Sequence, residues 1–265
     1  MSRLVRIEDP DDPRIAPFRA VRERDLVGRE GRFIAEGEVV VRHLARAPRH
    51  RPLALLLAEQ RVAAQGELIA AMPEAVPVYA AAQPVMDAIV GFPIHRGILA
   101  LGERAPDPEP DALLAELPAD AVVVCVCGVG NHDNMGGIFR NAAAFGAAAV
   151  VLDSACCDPL YRKAVRVSVG AALIVPTLRL APGDDLIGLL QRHGFEPLAL
   201  SPSGETTLSD FRRQARAAII LGAEGPGLAP ELMARARTVR IPMAAGFDSL
   251  NVAVTSGIVL HQLMR

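Results

Sequence analysis

The chain has 265 residues, a formal net charge of −2 and 51% hydrophobic residues. This composition excludes an intrinsically disordered chain and supplies enough apolar material for one or two folded domains. The charge balance neither identifies nor excludes a nucleic-acid partner, because affinity for nucleic acid depends on clustered cations.

The N-terminal segment is rich in arginine. The crowded arginines are Arg14, Arg19, Arg22, Arg24, Arg29 and Arg32. Their planar guanidinium groups suit phosphate, but they could equally be solvated and paired with Glu23, Asp25 and Glu30. Met1 to Asp12 is charged, and no run approaches the roughly 20 apolar residues needed to cross a bilayer. We therefore expect a cytoplasmic protein with no membrane partner.

Residues 105–118 are rich in proline and acidic side chains, which predicts a linker. The predicted domains are therefore residues 1–104 and residues 119–265. The second begins with a strongly apolar strand at 121–127, followed by a loop and a helix with one apolar face.

Two polar residues of this helix are candidates for a functional site. Asn134 is either its N-cap or a functional residue. Arg140 is expected in the first turns, at the unfavourable end of the helix dipole, and so we expect it to have a partner such as a substrate phosphate.

Two unusual loops near the C-terminus follow predicted parallel strands. These strands cover residues 217–221 and 238–241. Ligands of open α/β sheets bind beyond the carboxyl ends of strands, so both loops are expected to build one site. Glycine backbone in the first loop could approach an adenine edge closely. Apolar walls would come from Ile241, Met243 and Leu250.

Ser249 and Asn251 stand at the start of an otherwise apolar C-terminal helix, where a buried core would favour neither. Ser249 could simply be the N-cap of that helix. The alternative is that both polar side chains belong to the same site as the two loops. The four cysteines form no Cys-x-x-Cys pair and the histidines lack ligand spacing, so we expect no metal.

Three ordered segments resemble the signature motifs of the SpoU (TrmH-like) family of RNA ribose 2'-O-methyltransferases, within the SPOUT superfamily. They are Asn134-x-Gly136-x-x-x-Arg140, Leu221-Gly222-x-Glu224-x-x-Gly227-Leu228, and Ile241-Pro242-Met243 followed by Ser249-Leu250-Asn251-Val252. Residues 166–171 also resemble the family's Ser-x-Gly-Ala step. Ala223 departs from the pattern, because many members carry Asn there.

The resemblance implies an α/β protein with a trefoil-knotted, parallel-sheet methyltransferase domain at 119–265 and a smaller α/β L30e-like domain at 1–104 that binds substrate RNA. Residues 31–44 are similar to the opening of that smaller domain, and residues 94–100 to its last strand. The family also implies a homodimer through the C-terminal domain, to which the helix at 249–264 would contribute.

The implied activity is methyl transfer from S-adenosylmethionine to a ribose 2'-hydroxyl of rRNA or tRNA. Arg140 would be catalytic, as a base or as an electrostatic stabiliser. Asn134, Ser249 and Asn251 would hold the ribose and Arg140, and Glu224 would fix Arg140 or its own loop. The family's cofactor positions correspond to Gly222, Glu224, Ile241, Met243 and Leu250.

Two alternatives stay open. Residues 128–133 imitate a dinucleotide-binding loop, with Asp153 about 20 residues further on, as in an NAD(P)-dependent dehydrogenase. Asp133 argues against it, since its carboxylate would oppose a pyrophosphate at the helix N-terminus. The other alternative is an RNA-binding protein of the same fold without catalytic activity.

Overall fold

The computed structural model describes residues 4–19, 23–90, 97–213 and 215–264. Within them the strands are β1 (Leu4–Ile7), β2 (Arg32–Glu36), β3 (Arg51–Ala58), β4 (Val78–Ala81), β5 (Ile98–Glu103), β6 (Val122–Val126), β7 (Ala149–Leu152), β8 (Thr177–Arg179), β9 (Glu196–Leu200), β10 (Thr206–Thr207), β11 (Ala217–Leu221) and β12 (Arg237–Arg240).

The helices of the same residues are α1 (Glu23–Gly28), α2 (Glu38–Ala45), α3 (Glu59–Val62), α4 (Gly66–Ala71), α5 (Gln83–Val90), α6 (Pro110–Glu116), α7 (His132–Phe145), α8 (Arg162–Val167), α9 (Leu186–Arg192), α10 (Pro230–Met233) and α11 (Val252–Leu263). Short 3-10 helices cover Pro13–Phe18, Ala63–Gln65 and Ala171–Leu173. None of the helices described here is long and apolar enough to cross a membrane. Residues 94–96 of the predicted last strand of the N-terminal domain, Arg22 and the side chain of Arg24 lie outside the described residues.

The chain divides into two compact units. The first comprises Met1–Ala105 together with Pro159–Ile174, and the second comprises Pro106–Asp158 together with Val175–Arg265. The segment predicted as a linker contains α6, and Leu114 of that helix is fully buried in the core of the second unit. Proline starts this helix at its first turn instead of breaking it, because the missing N–H is not needed there.

The first unit contains a five-stranded sheet with the order β1-β4-β3-β5-β2, in which β5 runs antiparallel to both neighbours. The apolar run of β3 is explained by two cores. Leu55 and Leu57 join one buried cluster, whereas Leu56 and Ala58 join another. Because successive side chains of a strand point to opposite faces, this sheet is covered on both sides.

The second unit contains a seven-stranded sheet with the order β10-β12-β9-β11-β6-β7-β8, and every pairing is parallel. The central strands β6 and β11 are buried along their whole length. The predicted strands at 121–127, 217–221 and 238–241 are confirmed to within one residue at each end. Parallel strands buried on both faces are expected to be continuously apolar, as β6 and β11 are.

Helices α7 and α11 of the second unit pack closely because small residues face each other. A Cβ atom on Gly137 would lie 2.7 Å from the Cβ of Ala253. The Asn141 amide donates hydrogen bonds to the Ala253 carbonyl at 2.7 Å and to the Ser256 hydroxyl at 2.9 Å. The small face of α11 is thus used inside the chain, against a helix.

We predict that Gly102→Ala destabilises the protein by about 1–3 kcal/mol, because overpacking a filled core forces its neighbours to move. The added Cβ would lie 2.3 Å from Cζ of Phe33, whose side chain is fully buried. Gly66→Ala is the matched control, since its Cβ would meet nothing within 4 Å. Urea unfolding measures both, and equal stability of the two variants would contradict the packing argument.

Candidate functional site

The candidate site lies where four neighbouring strands of the second unit end. Strands β12, β9, β11 and β6 are consecutive in the sheet and parallel, so the loops that follow them share one edge. In an open α/β sheet this carboxyl edge is the usual place for a ligand.

A cavity at this edge is lined by residues from three of the loops. Among them are five residues predicted for the site, namely Gly222, Ile241, Met243, Ser249 and Leu250. Ile241 and Met243 are half-buried and Leu250 is exposed, which gives the cavity apolar walls open on one side. Glu224, predicted at the same place, is not among the residues that line it.

The loop after β11 requires glycine at its first position. A Cβ on Gly222 would lie 2.5 Å from the carbonyl carbon of Gly227 and 2.7 Å from the backbone nitrogen of Leu228. Gly225 and Gly227 both have positive φ, at 87° and 69°. A bridge between Ala223 and Gly227 closes the loop, and buried Leu228 anchors its end. Glycine at 222 is therefore required by the contact of the loop with itself. Gly222 also lines the cavity, where glycine backbone can approach a flat ligand closely.

Strand β9 also contributes to the cavity, although no sequence motif predicted it. Leu200, Ser201 and Pro202, at and just beyond the end of that strand, line the cavity, as does Thr255 of α11. The signal was the Ser-Pro-Ser-Gly sequence at 201–204, which is typical of a turn after a strand.

Three polar side chains beside the cavity form a closed triangle of hydrogen bonds. The Asn134 amide donates to Oε1 of Glu224 at 2.7 Å. The Asn251 amide donates to Oδ1 of Asn134 at 2.9 Å and to Oε1 of Glu224 at 3.1 Å. Asn134 is buried, whereas Glu224 and Asn251 are exposed. The triangle thus connects the segments that follow β6, β11 and β12.

Neither Asn134 nor Ser249 is a helix cap. The N-cap of α7 is Asn131, whose side chain accepts from the N–H of Asp133, and Asn134 lies inside the helix. The N-cap of α11 is Asn251, whose Oδ1 accepts from the N–H groups of Ala253 and Val254. Asn251 therefore uses its oxygen for the helix and its amide for the triangle.

Arg140 differs from the expectation. The helix begins at His132, so Arg140 lies in its second half and the argument from the helix dipole does not apply. The side chain is exposed and has no hydrogen bond or ion pair to any other described residue. Glu224 is bonded to the two amides of the triangle and not to Arg140. A guanidinium is thus available to an external anion.

The loop that imitates a dinucleotide-binding site is held by the carboxylate of Asp153. Oδ2 of Asp153 accepts from the N–H of Gly128 at 2.9 Å, and Oδ1 accepts from Ala155 and Cys156 at 3.0 and 2.9 Å. A dehydrogenase would need this carboxylate for a ribose and the loop N–H groups for a pyrophosphate. The carboxylate of Asp153 and the N–H of Gly128 are already used within the chain.

The cysteines near this loop are not suited to nucleophilic chemistry. Burial raises the pKa of Cys127 and that of Cys156 to about 12, and the nearby Asp153 charge adds to the effect. A thiol with such a pKa stays protonated at neutral pH. Within the described residues, no group of three His, Cys, Asp or Glu side chains has the arrangement of a metal site.

The fold and site define an α/β protein with a ligand cavity at the carboxyl edge of a parallel sheet. The model of the SpoU rRNA Methylase family matches residues 121–261, which is more than half of the chain. The chain belongs to this family of RNA methyltransferases, as the three motifs predicted.

Relatives support this membership along almost the whole chain. The uncharacterized tRNA/rRNA methyltransferases Mb0905 of Mycobacterium bovis and Rv0881 of Mycobacterium tuberculosis are each 41% identical over 97% of this chain and 90% of their own length.

Solved structures show the same fold. An AdoMet-bound rRNA methyltransferase from Sinorhizobium meliloti has a TM-score of 0.84 at 23% identity, covering 98% of this chain and 97% of its own. The SpoU methyltransferase AviRb from Streptomyces viridochromogenes, in complex with AdoMet, has a TM-score of 0.78 at 23% identity, covering 96% and 97%.

We predict that Asn251→Ser and Asn251→Ala separate the two roles of this residue. Both variants leave the buried Oδ1 of Asn134 without the Asn251 amide donor and should lower the free energy of unfolding. Serine keeps a capping oxygen, so it should remain about 1 kcal/mol more stable than alanine. Both variants remove the amide donor to Asn134 and Glu224, and so both should impair the function of the site. Chemical unfolding and ligand titration distinguish the effects. Equal stability of the two variants would contradict the capping role.

Proposed function

We propose that the protein transfers a methyl group from S-adenosylmethionine to a ribose 2'-hydroxyl of structured RNA. The observation that carries this proposal is the polar triangle of Asn134, Glu224 and Asn251 beside an apolar cavity. Arg140, on the same helix as Asn134, has no hydrogen bond or ion pair to any other described residue. Ribosomal and transfer RNA are both candidate substrates.

The names of related structures support the ribose as the target. An RNA 2'-O ribose methyltransferase has a TM-score of 0.78 at 24% identity, covering 98% of both chains. A protein studied for 2-OH methylation of C/U34 on tRNA has a TM-score of 0.50 at 26% identity, covering 55% of this chain and 95% of its own.

The cavity suits an adenosyl group attached to a sulfonium. Gly222 contributes a wall without a side chain, and Ile241, Met243 and Leu250 supply apolar surface. Such a ligand carries no phosphate and therefore needs no phosphate-binding loop. We assign Gly222, Ile241, Met243 and Leu250 to cofactor binding. Glu224 does not line the cavity, and we assign it to the polar triangle only.

When bound, S-adenosylmethionine supplies an electrophilic methyl carbon whose bond to sulfur breaks as the bond to the ribose oxygen forms. The protein must align the hydroxyl with that carbon and accommodate the departing proton. Ser249, which lines the cavity, orients the ribose, and Asn134 and Asn251 fix the loop of Glu224 and the start of α11 through the triangle. Arg140 binds the adjacent phosphate and stabilises negative charge developing on the oxygen, because a guanidinium with a pKa above roughly 12 seldom acts as a base.

The architecture we propose follows the family. The second unit would contain the trefoil knot, an exception to the near absence of knots in proteins. The first would be an L30e-like domain that binds substrate RNA, in a cytoplasmic protein. A homodimer would form through the second unit, where Val254 and Ile258, one turn apart on α11, are 52% and 39% exposed.

Incubation with radiolabelled S-adenosylmethionine and unmodified rRNA and tRNA tests the activity. We expect label in RNA at positions that resist alkaline cleavage, because a 2'-O-methyl group blocks the hydroxyl that attacks the neighbouring phosphate. Label on a base would contradict ribose methylation. RNA that is bound but never labelled would favour the non-catalytic alternative.

Two variants separate catalysis from cofactor binding. Arg140→Ala should abolish turnover, yet leave the affinity for S-adenosylmethionine within a few-fold, because Arg140 is not among the residues that line the cavity. Leu250→Arg should abolish that affinity, because it places a charge in an apolar wall. Calorimetry and the labelling assay measure both. Arg192→Ala, an exposed arginine on α9, is the control. Full turnover by the Arg140→Ala variant would show that Arg140 is not catalytic.

A further inference from the structure

Helix α8 of the first unit carries a basic surface that the proposed methyl-transfer site does not use. Lys163 and Arg166 are both exposed, and residues three apart are neighbours on a helix surface. Lys163 is the only lysine in a chain whose other basic residues, apart from histidine, are all arginine.

A buried carboxylate holds this helix to strand β2. The Glu36 side chain is 7% exposed, and its Oε2 accepts from Nε of Arg162 at 2.9 Å. The same oxygen lies 3.9 Å from Nη1 of Arg166, whose side chain is 45% exposed. One carboxylate thus faces two guanidinium groups, and its single charge does not balance both.

The rest of the segment is also fixed in place. Val165 is fully buried in the core of the first unit. Val169 and Gly170 end the helix with positive φ angles of 54° and 84°, a conformation that is costly for a β-branched residue. A Cβ on Gly170 would lie 3.3 Å from the Cα of Val40, so this turn packs tightly on α2. The cations are therefore presented by an ordered element, which lowers the entropic cost of binding.

We propose that Lys163 and Arg166 of α8 contact the phosphate backbone of the RNA substrate. This inference rests on the proposed function, and it assigns part of RNA recognition to a segment that lies in sequence between the first and second signature motifs. Arg166 offers a planar fork to phosphate oxygens and Lys163 a compact point charge. Glu36 acts as a positioning residue that fixes the helix without touching RNA.

The single lysine among the 265 residues allows a direct test in the whole chain. Acetylation by an N-hydroxysuccinimide ester, followed by mass spectrometry, reports the accessibility of one side-chain amine. We expect unmodified rRNA or tRNA transcripts to slow acetylation of Lys163 several-fold, with the N-terminal amine as the internal reference. Unchanged acetylation at saturating RNA would overturn the proposal.

A double variant tests the contribution to binding. We expect Lys163→Gln/Arg166→Gln to weaken RNA binding at least 10-fold near 0.1 M salt and to reduce the log–log salt slope by roughly one for each lost phosphate contact. KM for RNA should rise while kcat at saturating RNA stays unchanged. The control is Arg6→Gln, because Arg6 is exposed, pairs with Glu59 and lies on β1 at the opposite edge of the same sheet.

These experiments distinguish failure of the α8 proposal from failure of the proposed function. If the wild-type protein methylates RNA and the double variant equals Arg6→Gln in salt slope and KM, the role of α8 is overturned and the proposed function stands. A wild-type protein that leaves RNA unmethylated would overturn the proposed function, whereas the acetylation and binding measurements would still decide whether α8 contacts RNA.

Discussion

One carboxylate oxygen organises the candidate site. Oε1 of Glu224 accepts from the amides of Asn134 and Asn251, and the two amides are bonded to each other. A buried amide without partners costs about 1–3 kcal/mol, so Asn134 keeps its place only while the other two segments are correctly folded. The shape of the cavity wall and the start of the last helix therefore depend on one another.

The geometry behind this triangle comes from strand pairing. Val126 at the end of β6 is paired with Leu221 at the end of β11, so the loops that follow both strands start at the same level. Helix α7 then approaches α11 at Gly137, and Asn141 bonds to Ala253 and Ser256 further along. These contacts fix α11 along its first turns, and they hold Asn251 where it can reach the other two side chains.

The sequence was informative where a local pattern determines the structure. Continuous apolar runs predicted β6 and β11, and parallel topology then required that their loops share an edge. It could not distinguish Asn131 from Asn134 as the cap of α7, because both are asparagine near the start of the helix and only contacts distant in sequence separate their roles. The family motifs predicted the segments of the candidate site, but they could not reveal that Glu224 accepts hydrogen bonds from two side-chain amides and none from Arg140.

The path of the chain limits how this protein can be divided. The first unit is completed by Pro159–Ile174, which comes from the middle of the second. That segment contributes buried Leu160, Val165 and Leu173 to the core of the first unit. A fragment that starts at residue 106 would expose this apolar surface to water, and a fragment that ends at 105 would lose part of its core. The two units are therefore not exchangeable modules, and recombination between relatives would have to transfer the inserted helix together with the sheet that receives it.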